Sequence, residues 1–377
     1  MRRRSFIALA AVTAAVVVGA AVAVNMRDGD VRSADAGERL FPRLFERAND
    51  VDHLVVRSAE GGTITLKAVD GRWVVGEKAD YRANFERVRG TLLAVSQMET
   101  IEPRTERPDL LPRLDLEDVD AEDSRSIRVT ARAGDDLLAD AIIGRWQGEG
   151  RDQGLFARRA DEMQSWLVKG AASRPDRQPL LWLDRDIVNV DQRRVRSFTI
   201  THAGGDIVAI DKPDPAASDY TLTSAVPAGR EAKPAHELQT IASITDFLIL
   251  DDVRPAAELD FSSPAVTARM VSYDGLILDF EGVEGDGRFW VRVAAGTGEP
   301  DPALGPFVEA NRGQDSAAGR TADQFRSPEE VAEQAAAITA RTEGWAYRLT
   351  DYKTGKIRTD TQGITQTIAA AEAKPQN

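Results

Sequence analysis

The sequence predicts an α+β protein made of two tandem modules of mainly antiparallel sheet, with one packed helix in each module and an N-terminal transmembrane helix before them. Segments that alternate apolar and polar residues are separated by glycine turns, which is typical of antiparallel strands. One helical pattern interrupts the strands, and the whole order, βββαβ–ββββ, occurs twice along the chain. An uncharged apolar run near the N-terminus supplies the predicted transmembrane helix.

That run extends from Phe6 to Val24 and contains no charged residue. A helix of this length spans roughly 28 Å, close to the hydrocarbon thickness of a bilayer. The larger apolar side chains of the predicted anchor are Phe6, Ile7, Leu9, Val16, Val17, Val18, Val22 and Val24. Arg2, Arg3 and Arg4 precede the run, and cationic residues stay on the cytoplasmic side. The sequence thus predicts a single-pass protein of the bacterial inner membrane, in contact with the lipid bilayer through residues 6–24, with its N-terminus inside and its bulk in the periplasm.

Two alternatives for this segment remain open. Ala21-Val22-Ala23 offers a signal-peptidase site, so the run could be a cleaved signal peptide. Arg3-Arg4-Ser5-Phe6-Ile7 is similar to the core of a twin-arginine signal, so the export route could be the general or the twin-arginine pathway. Every one of these alternatives places the folded part outside the cytoplasm.

Composition excludes several classes of function. The chain has no cysteine, so it has no disulfide, no thiolate nucleophile and no sulfur-ligated metal. Its formal net charge is −13, which disfavours binding to nucleic acid or to anionic lipid headgroups. We therefore expect no nucleic-acid partner.

The chain is predicted to divide into seven segments. They are a cytoplasmic stub at 1–5, the anchor at 6–24, a stalk at 25–48, the first module at 49–170, a linker at 171–194, the second module at 195–359 with a helical insertion at 294–342, and a flexible tail at 360–377.

The first module begins with three predicted strands, Val51–Ser58, Thr63–Lys67 and Arg72–Val75, joined by turns at Gly61-Gly62 and Asp70-Gly71. Asn84 then caps a helix whose apolar residues recur at helical spacing. These residues are Phe85, Val88, Leu92 and Val95. Five strands follow, at Met98–Ile101, Ser126–Ala131, Leu137–Ile143, Gly154–Arg158 and Ser165–Val168.

The second module repeats this order. Its first three strands are Val195–His202, Asp206–Asp211 and Tyr220–Thr223, with a turn at Gly204-Gly205. The helix carries Leu238, Ile241, Ile244 and Leu248 on one face. The later strands are Ile249–Val253, Ala265–Ser272, Leu276–Glu281, Arg288–Val293 and Trp345–Thr350. Within the insertion, Ser327-Pro328-Glu329-Glu330 predicts a capped helix start.

A search for catalytic and metal-binding motifs identifies no catalytic, cofactor-binding or metal-binding residue. His53, His202 and His236 are far apart in sequence, and we interpret each as a structural histidine. The acidic run Asp115–Asp123 lacks the glycine of a calcium loop and is interpreted as a solvated connector. Tryptophans at 73, 166, 290 and 345 lie within predicted strands and are assigned to core packing, whereas those at 146 and 182 are left unassigned.

Several short signatures resemble the bacterial domain of unknown function 4340 family over roughly residues 40–350. They are Leu40-Phe41-Pro42-Arg43-Leu44, Asp70-Gly71-Arg72-Trp73-Val74-Val75, Arg113-Leu114-Asp115-Leu116, Ile142-Ile143-Gly144 and Trp182-Leu183-Asp184-Arg185-Asp186-Ile187. The resemblance implies a membrane-anchored, exported protein with no assigned catalytic residues. It also implies an association with ABC-2-type transport systems.

The functional prediction is a non-enzymatic, membrane-anchored periplasmic accessory or scaffold protein, with an ABC-2-type permease or another envelope protein as its partner. The first alternative is an exported binding protein for a polar or saccharide ligand. The second is a hydrolase that uses paired carboxylates, although the sequence identifies no such pair.

Overall fold

The computed structural model describes residues 37–148, 154–170, 174–311 and 324–368. The chain forms two compact units, Met1–Asp184 and Arg185–Asn377, which divide within the segment predicted as the linker. Both units combine a large antiparallel sheet with helices, so the α+β class is confirmed. The predicted anchor at 6–24 and Arg2, Arg3 and Arg4 lie outside the described residues. Among the residues that are described, no helix has the length and apolar character needed to cross a membrane.

The described part of the first unit contains two α-helices and nine strands. In chain order they are α1 (Pro42–Arg47), β1 (His53–Ser58), β2 (Gly62–Val69), β3 (Arg72–Val75), β4 (Tyr81–Arg82), α2 (Phe85–Ser96), β5 (Glu99–Pro103), β6 (Ile127–Ala133), β7 (Asp136–Gln147), β8 (Gly154–Arg159) and β9 (Ser165–Lys169). The strands form one sheet in the order β4-β3-β2-β1-β6-β7-β8-β9-β5. The connection through α2 thus carries the chain from one edge of the sheet to the other.

Helix α2 forms where the sequence predicts it. The Asn84 side chain accepts a hydrogen bond from the Arg87 backbone N–H at 3.1 Å, which satisfies one of the free donors of the first turn. Val88 and Val95 are buried, as the helical spacing predicts. Phe85 differs, because it occupies the first helical position and its side chain is 55% exposed.

The second unit repeats the arrangement with longer connections. Its described elements are β10 (Asp186–Val188), β11 (Val195–His202), β12 (Ile207–Asp211), β13 (Thr221–Leu222), β14 (Arg230–Ala232), α3 (Ala235–Ala242), β15 (Leu248–Pro255), β16 (Val266–Ser272), β17 (Leu276–Gly285), β18 (Arg288–Thr297), α4 (Leu304–Ala310), α5 (Pro328–Thr342), β19 (Trp345–Leu349), α6 (Asp351–Ile357), α7 (Thr361–Ile364) and β20 (Thr365–Thr367).

The two large sheets share one strand order. The second sheet runs β10-β15-β19-β18-β17-β16-β11-β12-β13. When β11 is matched to β1 and β15 to β5, the eight strands from β15 to β13 in the second sheet correspond one to one with the eight strands from β5 to β3 in the first sheet. The first sheet is read from its β5 edge for this comparison. The strand after the helix is therefore the edge strand of the first sheet, and in the second sheet only β10 lies outside it.

A leading segment borders that strand in each unit. In the first unit the Gly37 N–H donates to the Thr100 carbonyl at 2.7 Å, and the Leu40 N–H donates to the Met98 carbonyl at 2.8 Å. In the second unit β10 pairs with β15 in the same place. The end of the predicted stalk, residues 37–48, therefore belongs to the first unit, because Leu40 and Leu44 are buried there.

A closing segment completes each unit by pairing with the residues just before the helix. In the first unit the Asn84 N–H donates to the Trp182 carbonyl at 2.7 Å. In the second unit the Lys233 N–H donates to the Ile364 carbonyl at 3.0 Å, and β20 pairs with β14. The prediction of a tail at 360–377 therefore differs from the structure at residues 361–367. The sequence did not indicate this, because the partner strand lies far away along the chain.

The predicted helical insertion begins later than expected. Residues 294–297 continue β18, and helices α4 and α5 follow. The predicted capping box is confirmed, since the Glu330 N–H donates to Ser327 Oγ at 3.3 Å and the Ser327 N–H donates to Glu330 Oε2 at 2.8 Å. Helix α5 then packs along β18, where Thr339 Oγ1 donates to the Ala295 carbonyl at 3.3 Å.

The closing segment of the second unit provides a test of this fold. Ile364 is 3% exposed, whereas Ile368, four residues later, is 52% exposed. We expect Ile364→Ala to lower the free energy of unfolding by about 2–4 kcal/mol, because it leaves a cavity in the core. Urea denaturation of the purified protein measures the change, with Ile368→Ala as the matched control. Equal stabilities of the two variants would contradict the assignment of this segment to the folded unit.

Candidate functional site

A cleft in the described part of the second unit has a volume of about 820 Å³. It is lined by the turn between β11 and β12, by residues 224–227, and by residues 360–362 at the start of α7. This volume falls within the usual range of small-ligand clefts, roughly 300–1,000 Å³. The cleft is therefore the strongest candidate for a binding site.

The turn between β11 and β12 forms one wall. Gly205 has a φ of +86°, a left-handed conformation that favours glycine. The His202 N–H donates to the Asp206 carbonyl at 2.9 Å and closes the turn. The Gly-Gly turn that marks the hairpin in the sequence thus brings His202 and Asp206 to the same cleft.

Asp206 holds the closing segment by two hydrogen bonds. Its carboxylate accepts a bond from Thr361 Oγ1 and another from the Thr361 N–H, the latter at 2.8 Å. The side-chain bond from Thr361, helped by the backbone bonds and by His202, holds the pKa of Asp206 below its usual range. Asp206 is therefore an ionised acceptor at neutral pH, which is the wrong protonation state for a general acid.

His202 also contacts the closing segment. Its Nε2 lies 3.1 Å from the Thr359 carbonyl oxygen. Because a carbonyl can only accept, Nε2 carries the hydrogen in this contact. The prediction of a structural role for His202 agrees with this geometry. His53 instead lies 3.0 Å from the Asp52 carboxylate in the first unit, and the His236 side chain is 76% exposed.

The rest of the lining combines a carboxylate with apolar groups. Asp360 Oδ1 accepts the Gly363 N–H at 2.7 Å and caps α7. Ile207 and Val226 are 46% and 38% exposed at the cleft. The Ser224 hydroxyl is buried, with no hydrogen-bond partner among the described residues. The cleft thus offers carboxylates and apolar side chains together.

Buried charged groups outside the cleft stabilise the fold. Arg194 and Asp274 form a buried ion pair, with Arg194 Nε 2.9 Å from Asp274 Oδ2. Asp274 also accepts the Arg326 N–H at 3.0 Å, and Arg194 Nη1 donates to Gln334 Oε1 at 3.0 Å. This network connects Arg326, just before α5, and Gln334, within α5, to the turn between β16 and β17.

Lys353 has a comparable role near the end of α3. Its ammonium donates to the carbonyls of Ser243 and Asp246, the latter at 2.8 Å. Burial lowers the pKa of Lys353, and burial also raises the pKa of Asp246. Asp246 accepts the Gln192 N–H at 2.7 Å and does not line the cleft described above.

The acidic run Asp115–Asp123 is a connector that the fold holds in place. Leu116 and Val119 are buried, and the Leu116 carbonyl accepts a bond from Arg158 Nε at 2.8 Å. The Arg158 guanidinium is buried with backbone carbonyls as its partners, and desolvation lowers its pKa. In the part of the chain that the structure describes, no cluster of three or more histidine or acidic side chains could hold a metal ion.

Sequence reasoning missed most of the cleft. It singled out His202 and the adjacent Gly-Gly turn, but it did not connect them with residues 224–227 or 360–362. The two tryptophans left unassigned also differ in role. Trp182 is fully buried and donates from Nε1 to the Asp176 carbonyl at 3.0 Å, whereas Trp146 is 40% exposed.

Comparison with known proteins gives one family match. Residues 73–264, just over half of the chain, match the family model of a domain of unknown function (DUF4340). The match runs from β3 of the first unit to the connection after β15 of the second. No match was found among curated proteins or solved structures.

Asp206 gives a pH-dependent prediction. The folded-state pKa of Asp206 lies below the ordinary value of 3.8. The ionised carboxylate therefore adds to the free energy of unfolding above that value, and this stabilisation is lost as the pH falls through the folded-state pKa. We expect Asp206→Ala to reduce the free energy of unfolding by about 1–3 kcal/mol at neutral pH, because Thr361 loses its acceptor. Urea denaturation from neutral pH to below pH 4 should show this difference shrinking. Asp161→Ala, at an exposed turn of the first unit, is the control. A difference that stays constant with pH would rule out this role of the carboxylate.

Proposed function

This chain belongs to the DUF4340 family, and we propose that it is a non-enzymatic, membrane-anchored periplasmic accessory or scaffold protein that works with an ABC-2-type transport system. The family is described as one of unknown function, so the proposal rests on the residues of this chain and on what the family resemblance implies.

The non-enzymatic part of the proposal rests on the hydrogen bonds of those titratable side chains whose pKa is shifted. Within the described residues, each group with a shifted pKa makes a hydrogen bond to another protein group. Representative bonds are those of Arg47 with Asp136, Arg128 with Asp140, Asp191 with Arg193, Arg254 with Asp286 and Arg269 with Asp279. Active sites usually gather perturbed groups in one cleft. Here these groups are spread over both units and stabilise strands and turns, which supports a scaffold.

The anchored location is supported by the sequence. Phe6–Val24 is uncharged and follows three arginines, a pattern typical of a single span with its N-terminus inside. The repeated unit supports the scaffold role in a second way, since two large sheet-based units provide extensive surface for contacts with other envelope proteins. The transport partner is taken from the family resemblance.

A specific observation favours a second candidate, the exported binding protein for a polar or saccharide ligand. The cleft in the second unit has a suitable volume and polar groups on two walls. The hydrolase alternative gains less support, because the pKa of Asp206 is lowered whereas a general acid needs a raised one.

The anchor is tested by membrane extraction. We expect the full-length protein to stay in the membrane pellet after alkaline carbonate treatment, because an uncharged helix of residues 6–24 remains in the hydrocarbon layer. Sequencing of the N-terminus should find residues 1–23 retained. A variant with Val17 and Val18 changed to lysine is expected to lose stable anchoring. A wild-type protein that appears in the supernatant and begins after Ala23 would establish cleavage.

The partner is tested by affinity purification in mild detergent. We expect the full-length protein to recover an ABC-2-type permease, identified by mass spectrometry. The matched control is a bait in which residues 1–36 are fused to an unrelated soluble domain, which separates the contribution of the two units from that of the anchor. If no membrane partner is recovered and a saccharide raises the melting temperature, the binding-protein candidate is favoured instead.

A further inference from the structure

The charged side chains that line the described cleft of the second unit are acidic. Among the described residues, its lining contains Asp206 and Asp360 and no lysine or arginine. Asp206 is held ionised by Thr361, and Asp360 accepts a backbone hydrogen bond as the cap of α7. Two carboxylates at one cleft attract a cationic group and repel an anionic one. Ile207 and Val226 add exposed apolar surface beside them.

In the first unit, an arginine of the same chain lies against the equivalent hairpin turn. The turn between β1 and β2 contains Glu60 and Gly61, and Arg177 lies against it. Arg177 Nη1 is 2.9 Å from Glu60 Oε2, and a Cβ at Gly61 would collide with the Arg177 carbonyl. The first unit therefore covers this turn with an arginine from its own extended segment, just before Pro179–Trp182 starts the closing turn.

The second unit differs at the matching position. Arg177 lies two residues before Pro179, and Thr359 lies two residues before Thr361 at the start of α7. The Thr359 hydroxyl donates to the Gly355 carbonyl at 3.2 Å, so it turns back toward α6. Arg358, the residue before Thr359, instead pairs with Glu284 at 2.9 Å. Among the described residues, the second unit thus keeps acidic groups beside its hairpin turn but places no arginine of its closing segment in the cleft, which stays open.

We propose that this cleft binds an extended peptide segment of a partner protein, with an arginine or lysine of the segment beside Asp206 and Asp360 and an apolar side chain against Ile207 and Val226. The segment would supply from outside what Arg177 supplies within the first unit. The inference deepens the proposed accessory role by naming one contact surface, and it rests on that role only for the origin of the partner.

The test measures fluorescence anisotropy of a labelled peptide, acetyl-Leu-Arg-Ser-Arg-Leu-amide, with the full-length protein in detergent at low ionic strength. Its counterpart, with glutamate in place of both arginines, is the charge control. We expect saturable binding of the arginine peptide, weakening with added salt, and no binding of the glutamate peptide. Equal affinity for both peptides, or binding of neither, would overturn the proposal.

Two variants locate the binding. Asp360→Asn removes one charge and keeps the helix cap, because an asparagine oxygen also accepts the Gly363 N–H. We expect it to raise the Kd about two- to five-fold. Ile207→Lys, at an exposed position, adds a repelling charge and should raise the Kd further, whereas Asp161→Asn in the first unit should leave it unchanged. An unchanged Kd in both cleft variants would refute this site.

A last comparison separates this inference from the other functions. Displacement of the peptide by a neutral disaccharide such as sucrose would reassign the cleft to a saccharide and overturn the peptide proposal. Peptide binding without recovery of a permease from membranes would leave the cleft assignment standing and remove only the transport partner. The two proposals can therefore fail independently.

Discussion

Backbone hydrogen bonding at the edges of the sheets is the constraint on which each unit depends. An open sheet leaves unpaired N–H and C=O groups along its outer strands, and these groups favour aggregation unless they are covered. In the first unit the leading segment at Gly37–Leu40 borders β5, and the Asp184 N–H donates to the carbonyl of Arg82, the last residue of β4, at 3.0 Å. The two ends of the unit therefore protect the two edges of its sheet.

The same constraint explains why the second unit extends as far as it does. Strand β10 borders β15 at one edge of the large sheet, and β20 pairs with β14 in a separate two-stranded sheet before α3. Side chains strengthen this closure, since Arg230 donates to Thr365 Oγ1 at 2.7 Å and to the Thr365 carbonyl at 2.8 Å. A chain that ended after β19 would lack these bonds. The polar composition of residues 360–367 therefore reflects a covering strand and a capped helical turn at the surface.

Sequence reasoning succeeded where local patterns determine structure. The alternation from Val51 to Ser58 and the Asp70-Gly71 turn placed β1 to β3, and Asn84 with Val88 and Val95 placed α2. It failed for β4, β10 and β20, because a strand of two or three residues carries no periodicity and its partner can lie far away in sequence. Bonds such as that of Arg230 with Thr365 join residues 135 apart, so no local window contains them. The cleft was missed for the same reason, because its walls come from three separate segments.

The two copies also differ at the point where the hairpin turn meets the closing segment. Their sheets share a strand order, so the hairpin turn and the closing segment meet in both units. In the first unit Arg177 pairs with Glu60 and fills the meeting point with a charge from the same chain. In the second, Thr359 takes the matching position, and the longer connection between β12 and α3 brings Ser224 and Val226 alongside. Two sheets of the same strand order thus position a closed charged contact in one unit and an open acidic cleft in the other, and the difference lies in one arginine and one longer loop.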